Sequence, residues 1–153
     1  MKRIFFAKTK RDIKRYFSYL FDQGYTFRED GCRYEFLGDW KVVLESPKKL
    51  HLITIYSERE EINLAFAPAY DKECVIAIES MIHFLSQGKT FIDRFSRDLA
   101  YLAREKKKQY ERLTKLLREY KDQIAPYFGE AFEGYRSDLL KAQNEYNRTL
   151  LGI

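Results

Sequence analysis

The feature that most constrains the fold is a change in the spacing of apolar residues along the chain. Between Cys32 and Phe66 apolar and polar residues tend to alternate, as they do in strands with one buried face. On both sides of this stretch apolar residues recur every three or four positions, which is typical of amphipathic helices. The pattern predicts an α+β fold, in which a small antiparallel meander sheet with flanking helices is followed by a long C-terminal antiparallel helical hairpin.

Short polar breaks divide the alternating stretch into three or four strands. The runs are CRYEF, WKVVLE, LHLITIY and EINLAF, and the breaks between them include Gly38-Asp39, SPKK and SERE. Trp40 opens the second run; we expect it to be buried in the sheet rather than to anchor an interface.

Two shorter helices are expected to cover this sheet. Thr9 and Asp12 form a T-x-x-D box, which predicts a helix over residues 10–23 that ends at Gly24. An apolar stripe that Gly88 closes predicts a second helix over residues 73–87.

Two longer stripes follow, and a break near Pro126 separates them. The first stripe consists of Ile92, Phe95, Leu99, Leu102, Lys106, Gln109, Leu113, Leu116 and Tyr120. The second consists of Phe132, Tyr135, Leu139, Ala142, Tyr146 and Leu150. A helix over residues 91–124, beginning at the T-x-x-D box of Thr90, would be about 51 Å long. We therefore predict two units, an α+β head over residues 1–88 and a helical hairpin over residues 89–153.

A two-helix hairpin has a narrow seam and cannot bury broad apolar stripes by itself. The interface candidates on these stripes are Leu113, Leu116, Leu117, Tyr120, Phe132, Tyr135 and Tyr146. A homodimer would cover them. In the alternative, the helices fold back along the sheet and the chain is a monomer.

The formal net charge of +5 is unevenly distributed. Residues 1–24 carry seven basic and two acidic residues, whereas the basic run over residues 104–122 is interleaved with carboxylates. The basic-surface candidates are Arg11, Lys14, Arg15, Arg104, Lys108, Arg112 and Lys115. Pairs such as Glu111 with Lys115 and Arg118 with Asp122 are typical of a solvated helix face, so binding to nucleic acid is not the favoured interpretation.

The sequence predicts no catalytic, cofactor-binding or metal site. His51 and His83 are the only histidines, and Glu79 with His83 at i,i+4 favours a surface ion pair over a metal site. Asp39, Glu45 and Lys48 depart from the spacing of a nuclease metal site, and the chain has no P-loop and no G-x-S-x-G. Cys32 and Cys74 allow one disulfide but no disulfide framework.

The chain begins with only a short apolar run, Ile4 to Ala7, where a signal peptide would need a longer one. No run approaches the roughly 20 apolar residues of a membrane helix. We therefore expect a cytoplasmic protein that does not associate with membranes.

The segment from Thr9 to Pro68 resembles small uncharacterised bacterial α+β proteins, some of them immunity-like. The shared pattern is a short amphipathic helix, then DQGYTF, then WKVVLES and further alternating strands. The resemblance covers less than half of the chain and implies a protein-binding role rather than catalysis.

These observations favour a non-catalytic protein-interaction module whose partner the sequence does not name. The alternative is weak, non-specific nucleic-acid binding through the basic N-terminal helix and residues 104–121. A third hypothesis, an enzyme with an unrecognised site, would require a cleft in which perturbed titratable groups converge.

Overall fold

The computed structural model describes residues 2–35, 38–93 and 105–153. Five α-helices lie in these ranges: α1 Lys2–Tyr16, α2 Ser18–Asp22, α3 Ile78–Leu85, α4 Lys106–Ile124 and α5 Phe132–Leu151. The strands are β1 Thr26–Phe27, β2 Arg33–Tyr34, β3 Trp40–Glu45, β4 His51–Glu58, β5 Glu61–Pro68 and β6 Ile76–Ala77. Short 3-10 helices span Glu29–Gly31 and Ala125–Phe128. The α+β prediction is confirmed, with a six-stranded antiparallel sheet, flanking helices and a C-terminal helix pair. Across the described ranges, no helix combines the length and apolarity that crossing a membrane requires.

The sheet is built around the meander of β3, β4 and β5. Its order is β1-β3-β4-β5-β6, and β2 pairs with β3 beside β1. In the register of the meander, Val42 lies opposite Ile55 and Ile55 lies opposite Leu64. A two-residue turn, Arg59-Glu60, joins β4 to β5 with φ values of 50° and 70°. Left-handed backbone at both central positions matches the twist of a hairpin, although glycine or asparagine is the usual residue there.

One face of the sheet, the first face, carries the main core. Opposite residues of an antiparallel pair share a face, so Val42, Ile55 and Leu64 lie on it together. Helices α1 to α5 and the 3-10 helix Ala125–Phe128 all contribute buried residues to, or pack against, the apolar cluster on this face. Trp40 is 5% exposed within this cluster, as predicted.

The other face, the second face, carries a smaller apolar cluster. It consists of Val43, Leu52 and Ala67, against which Ala69 and Val75 pack from the segment 69–75 that follows β5. This segment is held by the residues that follow β1, because Arg28 Nη1 donates a hydrogen bond to the Ala69 carbonyl at 2.5 Å. Lys72 Nζ likewise donates to the Asp30 carbonyl at 3.1 Å.

The C-terminal helix pair completes the edge of the sheet beyond β5. Gln109 of α4 accepts a hydrogen bond from the Ile62 N–H at 2.7 Å and donates one to the Glu60 carbonyl at 3.2 Å. Gln143 of α5 accepts a hydrogen bond from the Ala77 N–H of β6 at 3.0 Å and donates one to the Val75 carbonyl at 3.4 Å. Two side-chain amides thus satisfy strand groups that would otherwise be buried without partners or left open to pairing with another chain.

The predicted boundaries of the first helix are wrong. Helix α1 begins at Lys2, and Thr9 lies inside it, where its hydroxyl donates to the Phe5 carbonyl at 3.0 Å instead of capping an N-terminus. Nothing in residues 2–16 breaks a helix, since the segment contains neither proline nor glycine. The chain turns at Phe17 into α2, and Gly24 follows with φ of 96°, as its predicted role as a stop requires.

The boundaries of the later helices also differ from those predicted. Helix α3 begins at Ile78 rather than near residue 73, because Ile76 and Ala77 pair with β5 as strand β6. Residues 91–93 and Glu105 are not helical, so a helix over the whole of 91–124, capped at Thr90, is wrong. Phe95, Leu99 and Leu102 of the predicted stripe lie outside the described residues.

The head and the C-terminal helices share one apolar core. Ile13 and Leu64 belong to the same buried cluster as Leu113, Phe132 and Leu139. The described helices therefore fold back along the first face, as in the alternative arrangement considered from the sequence. The division at residue 88 stays a prediction.

Candidate functional site

The candidate site is a pocket on the second face, which we call the second-face pocket. It has a volume of about 360 Å³ and lies between strands β2, β3 and β4 and the segment 69–75. Its lining residues are Arg33, Glu35, Asp39, Trp40, Lys41, Thr54, Tyr56, Ser57, Glu58, Glu73 and Val75. Apolar residues of segment 69–75 pack against Val43, Leu52 and Ala67 on the second face. The part of this face around Lys41 and Tyr56 is not covered in this way and forms the pocket.

The pocket is acidic although the chain as a whole is basic. Its lining includes four carboxylates and two basic side chains, a formal balance of −2 in a chain of net charge +5. Both basic residues already face carboxylates, with Arg33 Nε at 2.8 Å from Glu35 and Lys41 Nζ at 3.9 Å from Glu73. The pocket therefore presents negative charge to a ligand.

Asp39 and Glu58 are the remaining carboxylates of the lining. Asp39 accepts a hydrogen bond from the Arg59 N–H at 3.1 Å. Among the described residues, neither carboxylate has a basic nitrogen within 4.0 Å. Charge at this rim of the pocket is thus not neutralised by the part of the chain that the structure describes.

The floor of the pocket includes Thr54 on β4. Its side chain lies on the second face, opposite Val43 on one side and Ala65 on the other, and is 1% exposed. Its hydroxyl oxygen is buried and has no hydrogen-bond partner in the described ranges. Tyr56, two residues along the same strand, adds a half-buried aromatic ring on the same face.

A second pocket contains the other candidate for chemistry, the pair Tyr25 and His51. The Tyr25 hydroxyl lies 2.7 Å from His51 Nε2, within a pocket of about 460 Å³ that Lys121 and Asp122 also line. Burial, with repulsion from Lys121, lowers the pKa of His51 to about 4. Burial, with the nearby Asp122 carboxylate, raises the pKa of Tyr25 to about 12.

These shifts leave both groups neutral at pH 7, and the imidazole tautomer decides which of them donates the hydrogen bond between them. A general acid or base works best when its pKa lies near the operating pH. The shifts of Tyr25 and His51 run away from neutrality, and burial is the largest cause of each. We therefore interpret this pair as a structural contact that holds Tyr25, the residue before β1, against His51 at the start of β4.

Glu79 and Arg112 form a buried ion pair that the sequence did not predict. Glu79 is 2% exposed, and its Oε1 lies 3.5 Å from Arg112 Nη2. The expected surface pair of Glu79 with His83 is therefore wrong, because His83 packs against the Tyr146 ring of α5 instead. Glu79 Oε2 has no hydrogen-bond partner in the described part of the chain.

Four of the predicted interface residues are buried inside the chain itself. Leu113, Leu117, Phe132 and Tyr146 are each 0% exposed. Leu116 and Tyr120 are partly buried and pack against the main core. Tyr135 is 41% exposed and contacts Tyr127, with ring centroids 4.8 Å apart. The chain's own core buries these four residues, which a second copy of the chain was expected to cover. At these four positions there is therefore no longer a reason to predict a homodimer.

The basic-surface candidates divide between exposed and engaged side chains. Arg11, Lys14, Arg15 and Lys115 are exposed. Lys108 is exposed and lies 3.0 Å from Glu105. The prediction that Arg112 lies on a solvated face is wrong, because its side chain pairs with buried Glu79. Arg104 lies outside the described residues.

The side-chain pairs predicted along α4 are also different. Glu111 lies near Lys107, 4.0 Å away, in place of Lys115. Asp122 pairs with Lys121 at 2.9 Å, while Arg118 stacks over the Tyr19 ring at 4.1 Å. The helix therefore uses its cations to cover aromatic rings of the neighbouring helix as well as to pair with carboxylates.

Both cysteines are free thiols, and burial raises the pKa of each. The Cys32 sulfur accepts a hydrogen bond from the Val43 N–H, with the two atoms 3.4 Å apart. Within the described ranges, no three His, Cys, Asp or Glu side chains are arranged to hold a metal ion.

The sequence did not reveal the second-face pocket, because its carboxylates come from three separate parts of the chain. Glu35 follows β2 and Asp39 precedes β3, Glu58 ends β4, and Glu73 lies in segment 69–75. The available signal was the strand alternation, which already placed Lys41 and Tyr56 on the face opposite Val42 and Ile55.

No protein-family model matches this chain, and comparisons with curated proteins and with solved structures give no match. The resemblance of residues 9–68 to immunity-like proteins therefore stays a prediction.

Proposed function

We propose that this protein is a non-catalytic protein-interaction module that binds its partner through the second face of the sheet. The observation that carries the proposal is the asymmetry of the sheet, whose first face packs against the helices while the second-face pocket lies on the other. Half-buried Tyr56 and the charged rim give this surface an aromatic group surrounded by polar groups, a composition favoured at protein interfaces. An immunity-like role, in which the partner is a toxic protein, is consistent with such a surface.

The pocket containing Tyr25 and His51 supports the non-catalytic part of the proposal. Tyr25 and His51 are both neutral at pH 7, and the Tyr25 hydroxyl is hydrogen-bonded to His51 Nε2. This arrangement offers neither a general acid nor a general base at pH 7.

Comparative affinity purification from the source cell tests the proposal. Tagged wild-type protein, a Tyr56→Ala variant and a Tyr135→Ala variant are purified in parallel, and the recovered proteins are quantified by mass spectrometry. The two variants remove the same phenol ring from different surfaces, one on the second face and one on α5. We expect a partner that is recovered with wild type and with Tyr135→Ala and is depleted with Tyr56→Ala. A partner lost only with Tyr135→Ala would contradict the proposed surface.

A second candidate function, nucleic-acid binding, is favoured by the way α1 and α4 pack. The Tyr16 and Tyr110 rings stack with centroids 4.8 Å apart, and Thr114 donates a hydrogen bond to the Tyr16 carbonyl at 3.2 Å. This contact brings the two basic regions together, with exposed Arg15 and Lys115 on neighbouring helices.

Fluorescence anisotropy with a duplex DNA at several salt concentrations tests this candidate. Carboxylates such as Asp12 and Glu111 lie within the same surface, so we expect only weak binding that disappears at physiological salt. A sequence-selective complex at physiological salt with a Kd below about 1 μM would instead make this the principal function.

A further inference from the structure

We propose that the second-face pocket binds the side chain of a lysine or arginine residue that a protein partner presents. This inference rests on the proposed function, and it names the chemistry that the partner must supply. Three independent features of the pocket point to a cationic hydrogen-bond donor.

The first feature is the unbalanced charge of the rim. Asp39 and Glu58 have no basic nitrogen within 4.0 Å in the described residues, while Lys41 and Arg33 are each occupied by another carboxylate. A partner's ammonium or guanidinium group would lie among carboxylates that gain a counter-charge. An acidic side chain in the same place would be repelled.

The second feature is the buried Thr54 hydroxyl. At 1% exposure it is shielded from water, and its oxygen has no hydrogen-bond partner in the described part of the chain. A buried hydroxyl left in this state costs on the order of 1–3 kcal/mol. An N–H donor from a bound side chain would satisfy the oxygen and recover part of that cost.

The third feature is the form of the pocket. A volume of about 360 Å³ accommodates one long side chain, whose apolar stem can lie along Val75 and the ring of Tyr56. The Tyr56 ring can also attract the cationic end of that side chain. The lining thus suits a side chain with an aliphatic stem and a cationic end better than a short polar one.

An NMR titration tests the inference with synthetic peptides. The probes are acetyl-Gly-Ser-Lys-Ser-Gly-amide, its arginine counterpart, and a norleucine counterpart that keeps the stem but lacks the charge. We expect saturable shifts of the backbone amide signals of Thr54 and Tyr56 with the first two peptides at millimolar concentration, and none with the third. The larger response of the two cationic peptides identifies which side chain the pocket prefers.

Matched variants connect the response to the named atoms. Glu58→Gln and Thr54→Val are close in size to the native residues, and we expect each to weaken binding of the cationic peptides by about three- to tenfold. Glu130→Gln removes the same charge from an exposed carboxylate outside the pocket and serves as the control. The control variant should bind the peptides as wild type does.

Equal binding of the norleucine peptide, or equal loss of affinity in Glu130→Gln and Glu58→Gln, would overturn the inference. So would the absence of shifts up to about 10 mM of either cationic peptide. If the peptides fail while Tyr56→Ala still loses a cellular partner, the proposed function stands and only the chemistry assigned to the pocket is wrong. If Tyr56→Ala recovers the cellular partner as well as wild type does, the proposed function itself is wrong.

Discussion

The side-chain amide of Gln109 accepts a hydrogen bond from the backbone N–H of Ile62, with the two atoms 2.7 Å apart. A residue of α4 therefore occupies the place that a neighbouring strand would take at the edge of β5. Gln109 is 5% exposed, so water cannot replace this bond easily. The contact covers part of the edge of β5 that the two-residue strand β6 does not pair with, and such an edge would otherwise be open to pairing with another chain.

Replacing Gln109 by leucine should leave the Ile62 N–H and the Glu60 carbonyl without their side-chain partner. We expect the free energy of unfolding to fall by about 1–3 kcal/mol, measured by urea denaturation. Gln123→Leu is the control, because Gln123 lies exposed on the same helix and should change stability by less than about 0.5 kcal/mol. Equal stability of the two variants would show that the amide does not protect the edge.

Removing one member of the buried ion pair should cost more than removing both. Arg112→Met leaves the Glu79 carboxylate buried without its cation, and we expect destabilisation of about 3 kcal/mol. The double variant Glu79→Met/Arg112→Met removes the buried charge altogether and should recover most of that loss. A double-mutant cycle from chemical denaturation measures the coupling, and purely additive effects would contradict the pairing.

Stability should depend on the protonation of His51. Its pKa is about 4 in the folded chain against about 6.5 when unfolded, so the unfolded chain binds more protons between these values. The contribution of neutral His51, on the order of 3 kcal/mol, is complete above pH 6.5 and is lost as the pH falls toward 4. Tyr25, Lys121 and Asp122 line the same pocket as the imidazole, and all three are unchanged in the His51 variant described next.

The comparison is between wild type and His51→Gln, whose amide oxygen can still accept from the Tyr25 hydroxyl. Unfolding free energies measured between pH 4 and pH 7 should decline more steeply in wild type than in the variant as the pH falls. Parallel curves over that range would mean that His51 is not held neutral by burial.

The described part of α4 should behave as core rather than as an interface. Leu117→Ala is expected to lower the free energy of unfolding by about 2–5 kcal/mol, because Leu117 is 0% exposed. Tyr135→Ala, at a position 41% exposed, should cost less than about 1 kcal/mol. Light scattering should give the monomer mass of 18.4 kDa for wild type and for both variants. A dimer mass that Tyr135→Ala abolishes would revive the predicted self-association.

Local apolar spacing was sufficient to predict strands β2 to β5 and the presence of helices on both sides of them, but it did not predict β1 or β6. The alternation through Trp40, Val42 and Leu44 fixes which side chains point to the core, because a strand has a period of two. Strand β6 was missed for a physical reason. Ile76 and Ala77 are a two-residue strand whose only support is pairing with β5, and no local pattern reports such pairing.

The roles of individual polar residues could not be predicted from spacing. Gln109 interrupts an apolar stripe and looked like a defect, yet it bonds a strand edge 47 positions away. Arg112 projected onto the solvated side of an isolated helix, but its long side chain reaches buried Glu79 of α3. The second-face pocket likewise depends on Glu58 and Glu73 lining one cavity, a relationship that only the fold creates.

Site-specific photo-crosslinking is a direct test of partner binding through the second face. A benzophenone amino acid is placed at position 56 in one variant and at position 135 in another, and each is irradiated in the source cell. We expect a crosslinked species heavier than the 18.4 kDa chain from position 56 and none from position 135. Crosslinking from position 135 alone, or from neither position, would contradict partner binding through the second face.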